Sequence, residues 1–121
     1  MLRRMDDDYV EQIAVAVASQ LEPEFGSRTQ TEVAAALSVR ESSGGVAQYD
    51  AVAIGALIVA IAQFAWDVYK DHRKKEPETR REQTEQVLRT EIRREFRATP
   101  RIQRITEVVI AEIVNRHSES P

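Results

Sequence analysis

DAVAIGALIVAIAQFAWDVYKDHRKK, residues 50–75, begins with twelve consecutive apolar residues after its aspartate, Ala51 to Ala62, and ends in a burst of Lys and Arg. Two structures fit such a stretch: a membrane span, or the central helix of a helical bundle. For the span, Asp50 is the one charge between Val46 and Trp66. Tyr49 flanks one end, and Trp66 and Tyr69 the other, in the manner of an interfacial aromatic belt, with KDHRKK on the cytoplasmic side. The pairs Ala51/Gly55 and Ala56/Ala60 have the small-residue spacing that lets helices approach closely. Against the span, Ala51 to Trp66 makes only about 24 Å of helix, where a hydrocarbon core needs about 30 Å. The run is also sorted by face. Ile54, Leu57, Ile58, Ile61, Phe64, Ala65 and Val68 cluster on one side of a helical wheel, and Ala53, Ala56, Ala60, Gln63 and Asp67 lie towards the other. Val52, Val59 and Trp66 recur every seven residues as a second stripe. Lipid gives no reason to sort bulky from small side chains, whereas packing between unequal neighbours does. The reading that follows is a buried central helix; the alternative is a single span over residues 50–69.

The rest of the chain supports an all-α protein. Its 121 residues suit one domain with a modest core. They are 42% hydrophobic and 31% charged, with four Gly and four Pro, a helical composition. With no Cys, disulfides, thiolate nucleophiles and zinc–thiolate sites are excluded. Arg3 and Arg4 are followed by Asp6, Asp7 and Asp8 and not by an apolar run, which argues against a cleaved signal peptide. The net charge of −3 conceals an asymmetry: residues 1–66 carry −5, residues 67–121 carry +2, and Lys70 to Arg104 alone carries +5. A basic segment can favour anionic lipid or nucleic acid, but its interleaved acids equally suit a solvated helix face.

Five helices can be read from caps and stripes, at roughly 8–22, 28–40, 50–74, 78–98 and 100–117. Asp8 with Glu11 makes a capping-box pattern ahead of the stripe Tyr9, Ile13, Val17 and Leu21, which Pro23 and Gly26 close. Ser27 with Gln30, or Thr29 with Glu32, opens a short second helix, and ESSGG (41–45) is the clearest loop. Asp50 can cap the third helix, which KEPE ends. Pro77 suits the first turn of the fourth, with Glu76 and Glu78 at its N-terminal dipole. Its stripe is Leu88, Ile92 and Phe96, with Val87 alongside. Thr99-Pro100 predicts a hydroxyl cap followed by proline at the first helical position. The fifth stripe is Ile102, Ile105, Val109 and Ile113, widened by Val108, Ile110 and Val114. The chain thus divides into an acidic helical pair with its loop (1–45), an apolar central helix with a basic end (46–75) and a charged amphipathic hairpin (76–121), all within one domain. The short RATP connection makes helices four and five neighbours.

Chemistry-bearing patterns are sparse. His72 and His117 both sit at helix ends, with no H-x-x-x-H or H-E-x-x-H spacing, and read as helix-end charge. Gly44-Gly45 lacks the following Lys-Ser/Thr of a phosphate loop, and Ser42 and Ser43 lack a nucleophile-elbow context. Asp6, Asp7 and Asp8 point three ways round a helix start and read as capping and dipole charge. Glu91 and Glu95 have i,i+4 spacing, but without a Glu-x-x-His companion the di-iron bundle pattern is absent, and Arg94 between them suggests surface ion pairing. No metal, cofactor or catalytic site is expected.

TQTEVAAALSV, residues 29–39, resembles the first half of a helix-turn-helix of the phage-repressor type. Gln30, Glu32, Val33, Ala34 and Leu37 occupy its first-helix places, with Val39 after the turn. The resemblance implies a following helix that reads the major groove. It covers eleven residues. Where the recognition helix should begin the chain has RESSGG, with Gly44 in place of an apolar packing residue, and the surrounding half is acidic, which repels phosphate.

These observations predict a non-enzymatic helical interaction protein, an adaptor, scaffold or regulatory subunit. It would act through apolar helix faces on a protein partner or on a second copy of itself. Ile58, Phe64, Trp66, Ile92 and Phe96 are the candidate interaction residues, and plain core is their competing reading. In the membrane alternative the C-terminal helices are cytoplasmic, and Lys70, Arg73, Lys74 and Lys75 contact anionic headgroups. In the interaction reading the protein is cytoplasmic. A DNA-binding regulator using residues 27–49 is the third and least supported reading.

Overall fold

The computed structural model describes residues 5–43, 54–78 and 80–117. These form an all-α fold of five helices: α1 (Met5–Phe25), α2 (Thr29–Ser43), α3 (Ile54–Lys75), α4 (Arg81–Glu95) and α5 (Pro100–His117). The helices α1, α3 and α5 pack on one another as a three-helix centre. α2 lies against α1 and α3, and α4 against α3 and α5. Thus α3 touches all four other helices.

That position explains the two-sided patterning of α3. Ile58 and Ile61 are fully buried with Leu57 and Ala65 on the bulky side, and Val59, Ala62, Trp66 and Tyr69 are buried on the second stripe. Each side needs a neighbour, and the other four helices of the same chain supply them. Among the described residues no helix is long and apolar enough to cross a membrane. The other stripes fall inward in the same way. Ile13, Val17 and Leu21 of α1, Leu88 and Ile92 of α4, and Ile105, Val109 and Ile113 of α5 are all essentially inaccessible. Three buried threonines sit among them, and each hydroxyl donates back to a backbone carbonyl: Thr29 to Gly26 at 2.7 Å, Thr84 to Arg80 at 3.3 Å and Thr106 to Ile102 at 2.7 Å. Burial therefore leaves none of these polar groups unsatisfied.

Helix ends depart from expectation in instructive ways. α1 starts at Met5, so Asp8 lies inside the helix and not at its cap, and α1 runs through Pro23 to Phe25. The stop is Gly26 alone. Its φ of 109° lies in the left-handed region that glycine tolerates, and its N–H donates to the Glu22 carbonyl at 2.8 Å. The Thr29–Glu32 capping box does not form, because the Thr29 hydroxyl is turned back to Gly26 and the Glu32 carboxylate accepts from the Gly55 N–H at 3.1 Å; Gln30 of the other proposed box donates instead to Glu22 at 2.7 Å. α2 continues to Ser43, so Glu41 to Ser43 are helix and not loop. The proposed cap Asp50 and the Gly44-Gly45 pair lie outside the described residues.

Pro77 falls in the turn after α3 and not in the first turn of α4, which begins at Arg81 behind an extended Arg80 with no side-chain cap. α4 stops at Glu95, three residues earlier than its apolar pattern predicts, because Phe96 is already extended (φ −119°, ψ 148°). Phe96 stays buried all the same. The chain thus leaves the helix while keeping the ring in the core. The α5 start is as predicted: the Thr99 hydroxyl accepts from the Ile102 N–H at 3.1 Å, with Pro100 as the first helical residue.

Candidate functional site

The five candidate interaction residues lie mainly inside the chain. Ile58 is 0% exposed, Ile92 1%, Trp66 5% and Phe96 7%, and Phe64 is partly buried against the same core. Phe64 meets Phe96 edge-on at 5.8 Å, which joins α3 to the end of α4. Trp66 lies between Tyr9 (ring centroids 4.9 Å) and Tyr69 (5.5 Å, nearly parallel), and Arg73 sits 6.0 Å from the Tyr69 ring. Burial raises the Tyr69 phenol above its ordinary value, a rise that the Arg73 charge partly offsets. In the closed bundle these aromatics bind the chain to itself, and only Tyr9 and Phe64 among them are less than fully buried. Sequence spacing identifies a helix's apolar face; it does not say whether the same chain already covers it.

The basic end of α3 does reach solvent. Arg73, Lys74 and Lys75 are exposed and Lys70 is half-exposed. Two of the four have carboxylates nearby: Lys70 lies 3.8 Å from Asp67 and Lys75 3.2 Å from Asp71. His72, in the same turn, has a buried Nε2 without a hydrogen-bond partner. Glu91 pairs with Arg94 at 3.4 Å, the surface pairing its sequence suggested. Among the described residues there is no cluster of three or more His, Asp or Glu that could hold a metal ion. The helix-turn-helix resemblance fails at its turn, since α2 continues as helix through Val39 to Ser43.

Two concavities stand out among the described residues. The larger, about 400 Å³, is a groove between α1 and α2. Val15, Ala18, Val33, Ala34 and Leu37 line it, and Glu11 is the one charged residue among its described lining. Val15 is 46% exposed, the one large hydrophobic side chain left so open among the described residues. It sits off the Ile13–Val17–Leu21 stripe, so its exposure is readable in the sequence as an apolar residue on the wrong face. The groove itself is not readable there, because it depends on how far apart α1 and α2 stand.

The smaller concavity, about 170 Å³, lies where α4 passes into α5. One arginine–carboxylate pair lies in its wall, and further arginine contacts run along α5. Arg89 of α4 donates twice to Glu107 of α5, at 2.7 and 2.8 Å. Arg104 of α5 donates to Glu24 of α1 at 2.9 Å, and Arg116 bridges Glu112 at 2.7 Å and Gln12 at 3.2 Å. The hydrogen bonds from Arg89 and Arg104 hold the Glu107 and Glu24 carboxyls below the usual carboxylate range and push both guanidinium groups up.

No protein-family model, no curated protein and no solved structure matches this chain.

Proposed function

We infer that the protein is a non-enzymatic interaction protein that self-associates through the α1–α2 groove. The supporting observation is the groove's composition among the described residues: an apolar floor, a protruding half-exposed Val15 and one charged residue on its wall. Charge depletion at the centre of a patch is what distinguishes interface cores from ordinary surface. A two-fold interface uses the same patch on both copies, so Val15 of each copy enters the groove of the other. The small side chains Ala18 and Ala34 leave room for this approach.

Sedimentation velocity over a concentration series tests the reading. The wild-type chain is expected to associate as concentration rises. Val15→Glu, which places a charge on an already exposed position, is expected to stay monomeric with unchanged helical circular dichroism. A wild-type chain that is monomeric at its highest soluble concentration overturns the proposal, as does a Val15→Glu variant that associates like the wild type.

A further inference from the structure

The notch at the α4–α5 corner has a different character from the α1–α2 groove. Arg89, Arg93 and Arg97 border it, at spacings of four residues, and Phe96, Ala98 and Ile102 supply its apolar surface. Arg89 is engaged by Glu107, which also lines the notch. Arg93 and Arg97 are exposed; Arg93 is near enough to Glu107 to help hold its carboxyl down, but that carboxylate takes its hydrogen bonds from Arg89. Two guanidinium forks therefore flank an apolar hollow, and neither donates a side-chain hydrogen bond to another described residue. Such forks match a carboxylate bidentately, and the Arg89–Glu107 pair in the wall of the same notch already shows that geometry.

The positive charge is local. Over Arg81–Glu95, α4 carries four arginines and four glutamates, so its face presents no continuous basic track. A polyanion or a charged lipid surface would meet Glu91 and Glu95 as well as the arginines. A single carboxylate beside an apolar group would meet only the notch, and a hollow of about 170 Å³ has room for one such side-chain pair.

We propose that the α4–α5 notch binds a short acidic-aliphatic segment of a partner protein. A carboxylate of that segment lies between Arg93 and Arg97, and an aliphatic side chain lies on Phe96, Ala98 and Ile102. This rests on the reading of the chain as an interaction protein but uses a different surface from the self-association groove, so the two can fail separately.

The test is a titration of the isotopically labelled full chain with a synthetic hexapeptide of alternating Glu and Leu, followed by amide and arginine side-chain NMR shifts. The expected result is saturable shifts at Arg93, Arg97, Ile102 and Gln103 that weaken with added salt. A Gln-for-Glu version of the peptide should bind at least tenfold more weakly. So should the acidic peptide with Arg93→Gln/Arg97→Gln, a variant expected to keep wild-type circular dichroism because both side chains are exposed. Absence of saturable shifts at millimolar peptide overturns the proposal. Equal shifts from the Gln peptide or from inorganic phosphate alone also overturn it, as does binding of anionic phospholipid vesicles with no response to peptide. Shifts confined to the α1–α2 groove would overturn the notch and leave self-association standing.

Discussion

α2 and α4 are both fifteen residues long, and each flanks the three-helix centre by touching two helices. Their inward faces even share a pattern: Thr29, Val33 and Leu37 in α2, and Thr84, Leu88 and Ile92 in α4, each a threonine followed by aliphatics every four residues. They attach to the core by opposite means. α2 comes so close to α3 that a Cβ on Gly55 would fall inside 3.0 Å of the Glu32 and Val33 backbone, and Glu32 caps the first turn of α3 through the Gly55 N–H. α4 stands off by the width of buried Leu88, Ile92 and Phe96, and it is tied to α5 at the rim by Arg89–Glu107. One contact is made by removing a side chain, the other by filling space with large ones. An Ala-rich helix can come close, and an Arg- and Glu-rich helix with a narrow apolar stripe cannot.

The comparison is most sharply broken at Ile92. Truncation to Ala leaves a cavity between α4 and its two neighbours and is expected to cost about 3 kcal/mol, read as a lowered denaturation midpoint with an unchanged slope. Gly55→Ala is next. Helix propensity favours Ala over Gly by about 1 kcal/mol. The clash here is with backbone, which cannot rotate away, so overpacking of about 2–3 kcal/mol wins and the net change is destabilising. Should Gly55→Ala instead stabilise the chain in a thermal melt, the close α2–α3 approach is wrong.

Glu32→Ala removes the tertiary cap and is expected to cost about 1 kcal/mol; a Glu32→Gln variant that recovers most of it would show that the hydrogen bond matters more than the charge at the helix dipole. The smallest effect belongs to the α4–α5 rim. The Glu107 carboxyl is held down chiefly by its hydrogen bond from Arg89, so its contribution is present above the usual carboxylate range. It is lost as pH falls through the lowered folded value. Glu107→Gln should therefore cost under about 1 kcal/mol near neutrality, because the pair is partly solvent-screened, and should flatten the acid limb of stability against pH. An acid limb as steep as that of the wild type would remove Glu107 from the account.

The five helices were legible because each has an apolar stripe at helical spacing, and two of their boundaries because Gly26 and Thr99-Pro100 are strong local signals. The ends of α3 at Lys75 and α5 at His117 also fall within a residue of their expected places; the other ends were less legible. Asp8, Pro77 and the residues around Phe96 carry caps and breakers that local rules place differently, and packing overrode them: Phe96 ends α4 with its ring still in the core. Thr84 and Thr106 were missed as core positions, since a threonine looks polar until its hydroxyl is seen returning to the carbonyl four residues back. Of the candidate interaction residues, the sequence could show that Ile58, Trp66, Ile92 and Phe96 lie on apolar faces. It could not show that four of the chain's own helices cover them.

By itself, then, the sequence determined that this is an all-α chain, where its stripes lie, and that residues 54–69 must be covered on two sides, because side-chain volume and period are local properties. Only the tertiary structure decided what does the covering. It also decided that Gly55 is a point of backbone approach and that Val15, Arg93 and Arg97 border open concavities. Each of these depends on the distance between helices far apart in the chain, which no local pattern encodes.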